Sequence, residues 1–218
     1  MAPATSAPFT CATCGASFDL PQSVRDKYPG WTPKQCRACK SGGGDASRGG
    51  SGRGKTLVEE NLTVAEVLER YADGPADGVF TDGSAVPNPG PGGWGSVYVV
   101  DGDVVDQRHG HEAHTTNNRM ELTALIAGYE LVPAGTPATV YTDSNLAVRT
   151  VTEWAAGWER RGWTRKGGPI QNLDLVQELY RRARQRPEIE LRWIKAHAGS
   201  RWNEYADSLS TAWLRQQL

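Results

Sequence analysis

The sequence predicts an α/β domain, a mixed five-stranded sheet flanked by helices, preceded by a small separate module. Three observations carry this. Strand-like runs at 79–81, 94–100 and 104–109 are followed by further runs at 139–142 and 189–195 that alternate with helical periodicity. A hairpin-linked antiparallel set followed by β-α-β units implies a mixed sheet covered by helices. All four cysteines fall in the first 39 residues, and a Gly/Ser/Arg-rich stretch at 41–55 separates them from the rest. The 218 residues, 38% hydrophobic and 22% charged, allow one core of ordinary size with a small companion.

The elements follow in order. Cys11-x-x-Cys14 and Cys36-x-x-Cys39 bring four thiolates into a pattern that suits one tetrahedral structural Zn²⁺. The segment resembles small zinc-ribbon or treble-clef modules. Disulfides are the alternative, and the lack of a basic-then-apolar leader pattern argues against them. The module takes residues 1–40 and a flexible linker takes 41–55. A linker helix is placed within 56–75, where Thr63 and Glu66 form a capping box and Leu62 staples against Val67. Val64, Val67, Leu68 and Tyr71 make its apolar stripe, and Asp73-Gly74-Pro75 ends it.

The main domain takes 76–218. Asp101-Gly102 between two strands signals a tight hairpin. Helices are expected at 118–132, ending before Pro133, then near 146–154 and 173–184, and finally at 203–214. No run approaches the ~18 apolar residues of a membrane span, so a soluble, cytoplasmic, monomeric protein is expected.

Net charge is −1, which alone disfavours a polyanion partner, but its distribution is uneven. Residues 1–55 carry eight basic and three acidic residues, and 149–186 carry nine basic and four acidic. Two basic stretches around an acidic centre suit a polyanionic substrate held beside a carboxylate-bound cation.

Four acidic residues sit where elements are expected to end or turn. Asp82 closes the first strand, Glu121 lies in the first turn of the 118–132 helix, Asp143 closes the fourth strand, and Asp207 is one turn into the last helix. Each has an ordinary structural alternative: Asp82 and Asp143 as caps, Glu121 as partner of an Asn118 cap, Asp207 as a solvated carboxylate. Clustered carboxylates nevertheless repel unless hard cations neutralise them. His109 and His111 share a strand face near His114, but no motif supports a metal there.

The surrounding phrases are more specific. Phe80-Thr81-Asp82-Gly83-Ser84, Asn88-Pro89-Gly90-Pro91-Gly92-Gly93-Trp94-Gly95, Thr115-Thr116-Asn117-Asn118-Arg119-Met120-Glu121-Leu122, Tyr141-Thr142-Asp143-Ser144, and Trp193-Ile194-Lys195-Ala196-His197-Ala198-Gly199 occur in order, closed by Asn203-Glu204 and Asp207. From Val79 onward the chain resembles the type I ribonuclease H family. The resemblance implies an endonuclease that cuts the RNA strand of RNA–DNA hybrids, leaving 5′-phosphate and 3′-hydroxyl ends. It implies that Asp82, Glu121, Asp143 and Asp207 hold two Mg²⁺ ions (Mn²⁺ being possible), with Asp82 bridging them and His197 assisting proton transfer or product departure.

The family pattern further places Gly83, Ser84, Asn88, Thr116, Asn117 and Asn118 against the hybrid's minor groove, where 2′-hydroxyls mark the RNA strand. A basic, tryptophan-bearing protrusion that grips the DNA strand corresponds to Trp154, Trp158, Arg160, Arg161, Trp163, Arg165 and Lys166, with Glu159 interrupting its basic run. At least one of these tryptophans is expected to be core. Two alternatives stay open: a nuclease of the same fold acting on DNA junctions, and a catalytically dead hybrid-binding protein. The basic N-terminal module is expected to hold nucleic acid, with protein docking as its alternative.

Overall fold

The computed structural model describes residues 8–20, 22–27, 30–36 and 61–215. Cys39 and the linker at 41–55 lie outside these residues. The chain divides into two units, Met1–Val58 and Glu59–Leu218.

In the first unit, β1 (Phe9–Thr10) and β2 (Ser17–Phe18) pair antiparallel, followed by α1 (Gln22–Lys27). The turn between the strands is a knuckle in which Gly15, at φ +72°, donates its N–H to the Cys11 carbonyl.

The second unit opens with α2 (Val64–Arg70). Its capping box forms as expected, Glu66 N–H donating to Thr63 Oγ1 and Thr63 N–H to Glu66 Oε2. Val67 is buried, whereas Leu68 of the expected stripe is exposed.

The sheet runs β5-β4-β3-β6-β7. β3 (Gly78–Ala85), β4 (Gly90–Val100) and β5 (Asp103–Thr115) form an antiparallel meander. β6 (Ala138–Thr142) and β7 (Ile189–Trp193) lie parallel to β3 and to each other. Asp101 and Gly102, at φ +54° and +80°, make the two-residue turn between β4 and β5.

α3 (Asn117–Leu131) and α6 (Leu173–Gln185) cover one face. α7 (Arg201–Ser210), a 3₁₀ turn at Ala212–Leu214, and α2 cover the other. α4 (Asn145–Arg149), a π turn (Thr150–Trp154) and α5 (Ala155–Arg160) follow one another without a break. Strand alternation explains the two layers: Val79 enters the α3 core while Phe80 enters the α7 core. No helix among the described residues is long and apolar enough to cross a membrane.

Four boundaries correct the sequence reading. β3 does not end at Thr81–Asp82 but continues to Ala85, because its polar and glycine residues pair with Gly92–Gly95 through backbone alone. β5 extends to Thr115 and is almost wholly exposed, so it lacks the alternation that marks a half-buried strand. The helix expected at 146–154 continues through a π turn to Arg160. The last helix starts two residues earlier than expected, at Arg201, which puts Asp207 in its second turn.

Candidate active site

The parallel register aligns Thr81 with Thr142, so Asp82, still within β3, and Asp143, just past the end of β6, follow paired residues of adjacent strands. Asp82 lies opposite Gly95, where α7 approaches so closely that a side chain at Gly95 would strike Leu209 and the Ala206 carbonyl. That approach brings Ser210 Oγ to 2.8 Å from Asp82 Oδ2 and Asp207 to the same spot. On the other face, a Cβ at Gly83 would collide with the backbone of Met120 and Glu121. The absent side chain lets α3 deliver Glu121 to the cleft.

The structural alternatives for three of the four carboxylates fail. Asp82 lies within a strand and caps nothing. The cap of α3 is Thr116, whose hydroxyl accepts from Arg119 N–H, so Glu121 has no Asn118 cap to complete. Ser144, not Asp143, caps α4, and it also donates to Glu121 Oε2. Asp143 is left facing the cleft, its carbonyl accepting from Trp193 Nε1 at 3.0 Å.

The four carboxylates line one open cleft of about 340 Å³ together with Gly83, Ser84, Asn117 and His197. Burial pushes Asp82 upward from the ordinary carboxylate range, against the opposing hydrogen bond from Ser210. Burial and then the Asp82 charge raise Glu121. Asp143 is pushed up to about 7, first by burial and then by Asp82 and Glu121. The donor set is all oxygen, half-buried and mutually repelling, which fits hard divalent cations such as Mg²⁺ or Mn²⁺.

His197 sits on the cleft rim at φ +46°, its side chain 56% exposed. Its Nδ1 is 4.0 Å from Oε2 of Glu204, which is buried in the first turn of α7 and accepts from Gly199 N–H through Oε1. Ser144 and Glu204 are read from sequence only as parts of matching phrases, with no role of their own, and Ser210 is not singled out. Their roles come from helix approaches that no local pattern reports.

The predicted substrate residues scatter more widely. Asn117 Oδ1 accepts from Ala85 N–H at 2.7 Å, and Asn88 Oδ1 accepts from Asn117 N–H at 3.3 Å, so both carboxamide oxygens brace the turn. Asn118, Trp154, Trp158 and Arg165 line a neighbouring pocket of about 160 Å³ that shares Glu121 with the cleft. Trp158 is 9% exposed and belongs to the core, as expected of at least one tryptophan. Trp163 packs edge-on against Tyr180. Arg160, Arg161 and Lys166 are exposed outside the cleft. Glu159 turns away to bond Arg184 on α6. His109, His111 and His114 are exposed on β5 and, among the described residues, join no cluster of three metal-ligating groups; His111 stacks on Trp213.

In the other unit, Cys11, Cys14 and Cys36 converge with all sulfurs within 4.8 Å of one another. Backbone N–H groups of Cys36, Cys14 and Thr13 hold the Cys11 thiol down at about 6, as a thiolate ligand requires.

The RNase H family model matches residues 76–214, more than half of the chain. The chain belongs to the RNase H family. It is 44% identical over 140 residues to a Ribonuclease H of Methylorubrum extorquens (strain PA1), covering 64% of this chain and 60% of that relative. It is 42% identical over 144 residues to the Ribonuclease H of Bordetella pertussis (strain Tohama I), covering 66% of this chain and 92% of that relative. Among solved structures, LC9-RNase H1, described as a type 1 RNase H with the type 2 active-site motif, superposes with a TM-score of 0.50 at 34% identity, covering 65% of this chain and 74% of that one. The family-model match lies within the second unit, and Cys11, Cys14 and Cys36 lie outside it.

The raised carboxylates of this RNase H unit make a testable linkage. Between the usual carboxylate range and about 7, the folded chain holds a proton on Asp143 that the unfolded chain has lost. This contribution to stability is therefore present at low pH and is lost as pH rises through about 7. Without metal, the melting temperature is expected to fall between about pH 5.5 and about pH 8. Mg²⁺ restores it at the higher pH only, and Asp143→Asn flattens the dependence. A metal-free melting profile that rises over this range in wild type and Asp143→Asn alike contradicts the assignment.

Proposed function

We propose that the chain is an endonuclease that hydrolyses the RNA strand of RNA–DNA hybrids with two divalent cations, leaving 5′-phosphate and 3′-hydroxyl ends. The observation that carries this is the convergence of Asp82, Glu121, Asp143 and Asp207 on one cleft in an RNase H family chain. Bound there, two cations supply a more acidic water and neutralise charge on the departing 3′ oxygen.

The chain's own residues do the rest. Asp82, between the approaches of α3 and α7, would hold the cations together with Glu121, Asp143 and Asp207. Ser144 and Ser210 fix the Glu121 and Asp82 carboxylates by hydrogen bonds. His197 carries a proton at Nε2 beside the departing product, with Nδ1 toward Glu204. The NH₂ groups of Asn88 and Asn117 donate to 2′-hydroxyls, their oxygens being spent on backbone. The exposed Arg160, Arg161, Arg165 and Lys166 meet DNA-strand phosphates, with Trp154 beside them.

A hybrid with a labelled RNA strand tests the reading. The expected result is internal cuts with 5′-phosphate ends in Mg²⁺ and none in EDTA. An intact hybrid beside a cleaved four-way DNA junction reverses the choice between the two nuclease readings, and binding without any cleavage supports the dead-protein alternative.

The N-terminal unit, by the same proposal, binds one zinc through Cys11, Cys14, Cys36 and Cys39 and holds nucleic acid near the catalytic unit. Cys36→Ser is expected to abolish the zinc found by metal analysis and to weaken hybrid binding and its salt dependence. Turnover at saturating hybrid stays unchanged. Zinc loss with unaltered affinity and salt dependence favours protein docking instead.

A further inference from the structure

Residues 61–75 precede the family match, yet they are stapled along α7. Arg201, the first residue of α7, donates from Nε to the Tyr71 carbonyl at 2.7 Å and from Nη2 to the Leu68 carbonyl at 2.9 Å. Its backbone N–H reaches the Asp73 carbonyl at 2.8 Å. Farther along, Ser208 Oγ donates to the Leu62 carbonyl, and Arg215 bonds Asn61. Leu62, Val64, Val67 and Tyr71 complete the apolar layer with Trp202, Tyr205 and Leu209.

The position of Arg201 is informative. A cation in the first turn of α7 is unfavourably placed for that helix's own dipole. The same guanidinium satisfies two carbonyls left open at the C-terminus of α2, where a cation is favoured. Its place is explained by α2 rather than by α7.

The clasp lands on the root of the loop that carries His197. Asp73 pairs with Ser200 in a parallel bridge, and Gly74, at φ +106°, leaves no room for a side chain against Ser200. The Tyr71 ring lies 3.9 Å from where a Cβ on Gly199 would sit, while Glu204 holds the Gly199 N–H from within α7. The loop is pinned two residues beyond His197, between a segment outside the family match and a carboxylate inside it.

We propose that residues 61–75 form a strap that fixes the C-terminal root of the His197 loop, with Arg201 as its positioning residue. This rests on the role given above to His197. Loosening the strap leaves the carboxylate cleft and the groove contacts in place, so it slows turnover without weakening substrate capture.

The test uses the full-length chain. Arg201→Ala is expected to lower kcat on the hybrid about three- to ten-fold with KM unchanged, a modest loss for a displaced group. Arg201→Lys recovers part of it. In a His197→Ala background the same replacement changes kcat by less than about two-fold, because residues acting as one unit are not additive. Tyr71→Ala, which removes the ring but no clasp bond, gives the same pattern if Arg201→Ala folds poorly. Independently of activity, hydrogen exchange at the Gly199 amide accelerates at least about ten-fold in either variant. Unchanged exchange at Gly199, or a kcat loss that multiplies fully with His197→Ala, overturns the strap. A wild type that leaves the hybrid intact sinks the hydrolase reading, and the exchange measurement still decides the strap.

Discussion

Asp82→Asn is expected to lower turnover on an RNA–DNA hybrid by at least about 10²-fold, the scale on which losing a main electrostatic stabiliser acts. Asparagine keeps the shape of the side chain opposite Gly95 and beside Ser210, so the fold tolerates it. On the proposed reading, the charge that would hold cations beside Glu121, Asp143 and Asp207 is lost. Stability moves the other way. Burial already pushes the Asp82 carboxyl upward, and its charge raises both Glu121 and Asp143, so a neutral amide relieves repulsion in the metal-free protein. Single-turnover rates and metal-free melting curves should therefore diverge: a large loss of activity with an equal or higher melting temperature. Hybrid affinity should largely persist, since Arg160, Arg161 and Lys166, proposed to meet the DNA-strand phosphates, lie outside the cleft. Near-normal cleavage, or a strongly destabilised variant, contradicts the role given to Asp82.

Gly83→Ala is expected to destabilise the protein by about 1–3 kcal/mol, the usual cost of overpacking a close contact, and to reduce activity with it. The added methyl meets the Met120–Glu121 backbone, which cannot swing aside as a flexible side chain does. Relief requires α3 to move, and α3 carries Glu121. The same replacement at Gly157 in α5 meets only the Arg161 guanidinium, at 3.3 Å or more. There it should be neutral, or stabilising by up to about 1 kcal/mol through helix propensity. Denaturant melts of the two variants check the pair. Equal effects at both glycines undo the claim that the β3–α3 approach is set by the missing side chain.

The parts readable from sequence were those with local signals. The alternation of Ile189, Leu191 and Trp193 with charged residues marks β7, the Asp-Gly pair marks the β4–β5 turn, and Thr63 with Glu66 marks the start of α2. The carboxylate quartet was legible only through the phrases around it, since Asp82 and Asp143 each resemble ordinary turn residues in isolation. The rest depends on tertiary approach. β5 exposes nearly all its residues and so carries no alternation to read. Ser210 matters because Gly93 and Gly95 admit α7 to the sheet, and Ser144 because α4 starts against α3. The π turn at Thr150–Trp154 lies where Trp154 and Trp158 tilt against each other 6.0 Å apart, and no local pattern announces it. The strap joins residues more than a hundred positions apart, beyond any window of periodicity.

The most direct measurement of the central claim compares initial rates on RNA–DNA, RNA–RNA and DNA–DNA duplexes of one sequence, each with Mg²⁺ and with EDTA. The RNA strand of the hybrid is expected to be cut in Mg²⁺, with the other duplexes intact and all cleavage stopped by EDTA. Cleavage of the DNA duplex as readily as the hybrid, or hybrid cleavage that persists in EDTA, contradicts that claim.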